Sequence, residues 1–176
     1  MKKIIKEKVM MMNNINNLFS YLMEPEVHVV FDIDGTMGVY LFGDLRHSAC
    51  ADDYWEQFVT EEQPYTKVFP VPQVQKFVKE KCLLNADSVH VCSVSQQFER
   101  LDKLNFVVRN YPTIKTENIH FVNSKDKKIE LLKELAKVAG SESNVALVDD
   151  TVKTLDMIYA QSDFVTVHNS AFMLYT

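Results

Sequence analysis

The sequence predicts an α/β fold: a Rossmann-like parallel five-stranded sheet flanked by helices, with a small cap insertion after strand one. Three observations carry this expectation. Short runs rich in Val, Ile and Phe alternate with longer stretches of helical period, the pattern of βαβ units. Connections of that length favour parallel pairing through right-handed crossovers. Polar residues gather just after the apolar runs, where open parallel sheets bind their ligands.

The elements follow in order. Residues 2–23 read as an amphipathic helix, with Ile4, Ile5, Met11, Met12, Ile15, Leu18, Phe19, Leu22 and Met23 on one face. Lys3, Lys6, Asn13, Asn17 and Tyr21 fall mostly on the other. Such a helix packs on its own domain, or else docks a partner or a membrane surface. Pro25 ends it, so the chain divides into a helix at 1–24 and a core at 25–176.

Val27, Val29, Val30 and Phe31 make the first strand, which stops on Asp32 and Asp34 and turns through Gly35 and Thr36. Residues 37–69 show no strand period but hold Tyr40, Phe42, Tyr54, Trp55, Phe58 and Tyr65. A short helix at 52–61 and the prolines at 64, 70 and 72 complete a lid-like insertion, whose aromatics mostly build a local core. Beyond it come a helix from Val71, a strand at 88–94 and a helix at 98–110 with Leu101, Leu104 and Val108 on its apolar side. A strand at 119–122, a helix at 127–138, a strand at 145–148, a helix at 151–160 and a strand at 164–168 close the core.

The whole chain bounds the function loosely. Its 176 residues suit one domain, and 47% apolar with 24% charged residues is ordinary for a globular protein. A net charge of -5 gives no strong nucleic-acid signal. Cys50, Cys82 and Cys92 show no CxxC spacing, which reads as a reduced, cytoplasmic protein. Glu7, Lys8 and the asparagines from Asn13 interrupt any apolar run, so neither a signal peptide nor a membrane span is expected. Nothing in the sequence signals an oligomeric state.

The strand ends carry the chemistry. They offer Asp32 and Asp34, then Ser93, then Lys125, then Asp149 and Asp150. Clustered carboxylates suit a hard cation such as Mg²⁺, which would offset their repulsion and bind an anionic substrate. An Asp can attack phosphorus, and a second Asp can carry the proton.

Phe31-Asp32-Ile33-Asp34-Gly35-Thr36 resembles motif one of the haloacid dehalogenase-like (HAD) superfamily. Val91-Cys92-Ser93 resembles motif two, the lysines at 125–128 motif three, and Val148-Asp149-Asp150 motif four. All four stand in the family's order, and the resemblance spans residues 27–168.

The resemblance implies a Mg²⁺-dependent phosphatase acting on a small phosphorylated substrate. Asp32 would be the nucleophile and Asp34 the general acid/base. Ser93, a motif-three lysine and Thr36 would bind the phosphoryl group. Asp32, the Asp34 carbonyl and Asp149 would hold the metal, with Asp150 as ligand or support. Lys128 is the favoured motif-three lysine, Lys125 the next choice, and Lys127 lies between them. The short insertion resembles that of deoxyribonucleotidase-like members, which points to a nucleotide. A macromolecular or nucleic-acid-end phosphate is a rival substrate, and a non-catalytic binding protein on the same fold is a rival function.

Bland readings stand beside these. Asp32 and Asp34 can form an Asx-type turn, and Asp149 and Asp150 can cap the next helix. His28, His90 and His120 sit early in their strands, about 10 Å from the functional ends, and suit no metal. Cys92 reads as a small buried hydrophobe. Arg46 and His47 either touch substrate or lie in a solvated loop.

Overall fold

The run from Val27 to Phe31 is too apolar to leave a face in water, and it becomes the middle of the sheet. A computed structural model of the chain describes residues 14–39 and 54–176. The sequence readings at 2–13, and those for Tyr40, Phe42, Arg46, His47 and Cys50, lie outside the described residues. In chain order the elements are α1 (Ile15–Leu22), β1 (His28–Phe31), β2 (Gly38–Val39), α2 (Trp55–Glu62), β3 (Phe69–Pro70), α3 (Pro72–Asn85) and β4 (Val89–Val94). Then follow α4 (Arg100–Asn110), β5 (Ile119–Val122), α5 (Lys127–Ala139), β6 (Val145–Asp149), α6 (Val152–Gln161) and β7 (Val165–His168).

β1, β4, β5, β6 and β7 form one parallel sheet in the order β5-β4-β1-β6-β7. This is the doubly wound arrangement that the alternation of strands and helices predicts. Successive β1 residues point to opposite faces. Val29 and Phe31 join Phe77 of α3, Phe106 of α4 and Leu22 of α1 on one face, while Val30 joins Leu132 of α5 and Ile158 of α6 on the other. A second ladder, β2 against β3, is antiparallel and joins the two ends of the insertion.

The described part of the N-terminal helix packs on the core through Phe19 and Leu22. Phe19 and Phe77 each meet Phe172 edge-on, with ring centroids 5.2 Å apart. Such pairs add ~0.5–1.5 kcal/mol each beyond their buried area. Tyr21 departs from its expected polar face. It is buried, and its hydroxyl donates to the Ser143 carbonyl at 2.7 Å.

A larger departure concerns α4. The sequence puts Leu101, Leu104 and Val108 on the core side, yet Leu101 is 66% exposed and Val108 47%. Phe106, Val107 and Lys103 face inward instead. Both stripes have helical spacing. The buried one wins because it brings two fully buried apolar side chains and one lysine whose charge is met inside the fold. No helix among the described residues is long and apolar enough to cross a membrane.

Candidate functional site

β1 and β6 are neighbours whose following connections lead to opposite faces of the sheet. A crevice therefore opens at their carboxyl ends. The Asp32 amide donates to the Val148 carbonyl at 2.9 Å, carrying the ladder one residue past β1. That bond sets Asp32 beside Asp149 at the end of β6. Gly35 then turns the chain with φ +73°, and its Cα lies against the Asp150 carboxylate where a Cβ would collide. A cleft of about 350 Å³ results, lined by Asp32, Asp34, Ser93, Lys125, Lys128, Asp149 and Asp150 among others.

Lys128 occupies the centre of the charge. It is 2% exposed, and its Nζ lies 2.6 Å from Asp149 Oδ2 and 3.0 Å from Asp32 Oδ1. Burial works against its charge, but Asp32 and Asp149 outweigh burial and hold the ammonium above its ordinary range. Asp32 is pushed the other way. Burial raises its carboxyl to about 6, Lys128 opposes the rise, and Asp149 and Asp34 add to it. The Lys128–Asp32 contact has the length of an ion pair but not the angles of a hydrogen bond, so Asp32 Oδ1 is buried with no well-aligned donor.

The three candidate lysines separate by geometry. Lys128 bridges the acids, Lys125 is exposed at the cleft wall, and Lys127 turns outward to Glu130 at 2.7 Å. Ser93 lines the cleft as expected. Thr36 does not. It is 1% exposed, and its hydroxyl has no hydrogen-bond partner among the described residues. Asp149 also receives the Thr151 amide at 2.8 Å in a turn, but neither Asp149 nor Asp150 caps the next helix: Thr151 is the N-cap residue of α6, and among the described residues no side chain bonds to the helix's first amides.

Asp34 is held apart from the other acids. Its Oδ2 lies 2.7 Å from Lys103 Nζ, and its Oδ1 accepts from the Tyr65 hydroxyl at 2.8 Å. Lys103 and Tyr65 are site residues that the sequence reading missed as such. Lys103 had a signal: it is four residues after Glu99 and shares a helix face with Phe106 and Val107. Tyr65, read only as part of the insertion's own core, is indeed 2% exposed but spends its hydroxyl on Asp34.

The excluded residues stay outside. His28, His90 and His120 stack in a row across β1, β4 and β5, with centroids 5.2 and 5.9 Å apart, and do not line the cleft. Burial, then His28 and His120, pushes His90 down to about 3. Burial pushes the Cys92 thiol up to about 12, which keeps it protonated and inert.

Asp32, Asp149 and Asp150 each present one oxygen within 4.8 Å of the others. Together with Asp34 they set four carboxylates against the two buried ammoniums of Lys103 and Lys128. The under-used Asp32 oxygen and this excess of negative charge fit a hard cation held by all-oxygen ligands. The Asp34 side chain, turned to Lys103 and Tyr65, is not part of the trio. No protein-family model matches the chain, and no curated protein matches it.

Proposed function

We propose that this chain is a Mg²⁺-dependent phosphatase of the HAD type, hydrolysing a phosphomonoester of a small metabolite such as a nucleotide. One observation carries the reading. Asp32, Ser93 and Asp149, from three strand ends, meet Lys128 of the first turn of α5 around one cleft, and Lys128 bridges Asp32 to Asp149.

Asp32 is the nucleophile. Its oxygen bonds to phosphorus while the bond from phosphorus to the leaving oxygen breaks, and Asp34 gives that oxygen a proton. Lys128 and the Ser93 hydroxyl take up charge on the phosphoryl oxygens. Water then attacks phosphorus, the bond to Asp32 breaks, and Asp34 accepts the water's proton. Asp32, Asp149, Asp150 and the Asp34 backbone carbonyl would hold Mg²⁺, which supplies positive charge for the phosphoryl group and lets Asp32 stay ionised in a buried place.

A panel of phosphorylated metabolites, run with Mg²⁺ and with chelator, tests this beside Asp32→Asn. Phosphate release that needs Mg²⁺ and vanishes in Asp32→Asn is expected. Turnover that survives the substitution, or no turnover on any member, overturns the reading.

A further inference from the structure

Lys103 is a buried ammonium to which the mechanism above gives no task. Its side chain is 2% exposed, and Nζ lies 2.7 Å from Asp34 Oδ2 and 3.4 Å from Glu99 Oε2. It also donates to the Val94 carbonyl at 2.7 Å and approaches the Ser93 hydroxyl at 3.4 Å. Burying a lysine is costly unless its charge is well met. Glu99, four residues earlier, supplies one counter-charge close by. The lysine nevertheless makes its shorter ion pair with Asp34.

The partners of this pair lead to the insertion twice. Glu99 Oε2 accepts from the Trp55 indole at 3.1 Å, and Trp55 opens α2. Tyr65 donates to the other oxygen of Asp34, and its ring lies 5.6 Å from the Lys103 ammonium. Asp34 thus has a donor on each oxygen, one from α4 and one from the insertion.

We propose that Lys103 is a positioning residue for Asp34, and that Glu99, Trp55 and Tyr65 tie this positioning to the insertion. The inference rests on the phosphatase reading. Held by two donors, Asp34 is aimed as a proton acceptor. The step it serves is the second one. Water oxygen bonds to the phosphorus of the aspartyl-phosphate, the bond from phosphorus to Asp32 breaks, and the water's proton passes to Asp34. Phosphate leaves and the Asp32 carboxylate is restored. Without Lys103 the Asp34 carboxylate keeps only the Tyr65 donor of the two, and this step slows even where the leaving group needs no proton.

Rapid mixing of Lys103→Met with p-nitrophenyl phosphate and Mg²⁺ tests this, because nitrophenolate leaves unaided. A burst of about one nitrophenolate per chain should precede a steady rate ~100-fold below wild type, on the scale of general acid/base contributions. Acid quenching should trap phosphate on the protein. Trp55→Phe, which keeps a ring but loses the donor, should shift the same way by a smaller factor. Circular dichroism checks folding, and if Lys103→Met is unfolded, Glu99→Gln carries the burst test in its place.

Equal slowing of both phases without a burst, or no slowing at all, overturns the role of Lys103 and leaves the phosphatase reading intact. No nitrophenolate from the wild-type chain, or turnover that persists in Asp32→Asn, overturns the phosphatase reading and this inference with it.

Discussion

Replacing Asp32 by Asn should stabilise the fold near pH 7.5 in chelator, although it removes the proposed nucleophile. The carboxyl is raised from its ordinary 3.8 to about 6, chiefly by burial. A raised value means that the folded chain binds this proton more tightly than the unfolded chain. The associated stability is complete below about 3.8 and is lost as pH rises through about 6. By pH 7.5 the loss reaches ~3 kcal/mol as an upper bound, at ~1.4 kcal/mol per pH unit. Asparagine keeps the shape without the charge. Lys128 keeps Asp149 at 2.6 Å, so its ammonium is not left alone. A net gain of ~1–3 kcal/mol corresponds to roughly 2–10 °C for a chain of this length. Melting curves of both chains in chelator, at pH 7.5 and pH 5, provide the assay. The gain should shrink to about half near pH 5, where the wild-type carboxyl is largely protonated. Added Mg²⁺ should raise the wild-type melting temperature more than that of the variant. A variant that melts below wild type at pH 7.5, or a gain indifferent to pH, refutes the reasoning.

Acid has the opposite effect on the histidine row. The folded chain holds His90 neutral down to about 3, against an ordinary 6.5, so stability falls as pH drops below about 6.5. His90 accounts for ~2 kcal/mol of loss by pH 5, and His90→Phe should flatten that fall in denaturant titrations at pH 7.5 and 5. Gly35→Ala forces a side chain into φ +73° and against Asp150. It should cost ~1–2 kcal/mol from the backbone alone and abolish turnover, as melting and phosphate release will report. Leu101→Gln should change stability by no more than ~0.5 kcal/mol, whereas Phe106→Ala should cost ~3–5 kcal/mol by urea titration. The reverse ranking would contradict the orientation of α4.

Much of the fold was legible because each strand is a short apolar run with an acid, hydroxyl or turn after it. The same rule located Asp32, Ser93 and Asp149, since a parallel sheet collects its strand ends at one edge. The sequence already favoured Lys128 over Lys125, and the helical turn agrees in space, pointing Lys128 inward and Lys127 out to Glu130. Lys103, by contrast, was hidden. A lysine on a helix reads as a solvated residue until its counter-charge is known, and Asp34 lies far away in sequence. The same gap misplaced the apolar face of α4, because Leu101 and Val108 match the helical period as well as Phe106 and Val107 do. Thr36 stands in its motif in sequence, but the fold buries it outside the cleft lining.

Among the described residues the central strand has no local partner: β1 pairs there with β4 and β6, and His28 faces Val145, more than a hundred positions later. No hairpin can template it, so folding must close long loops before β1 gains its pairing. On a ribosome adding about 5–20 residues per second, β1 waits roughly 5–25 s for β6 to be made. β4 is made first and can cover one edge, but until β6 follows the other edge of this apolar strand stays unpaired and open to wrong pairing with other chains. Because Asp32 and Asp149 end those same two strands, the closure that finishes the sheet also assembles the acids. An unfinished chain therefore lacks the pairing that sets Asp32 beside Asp149.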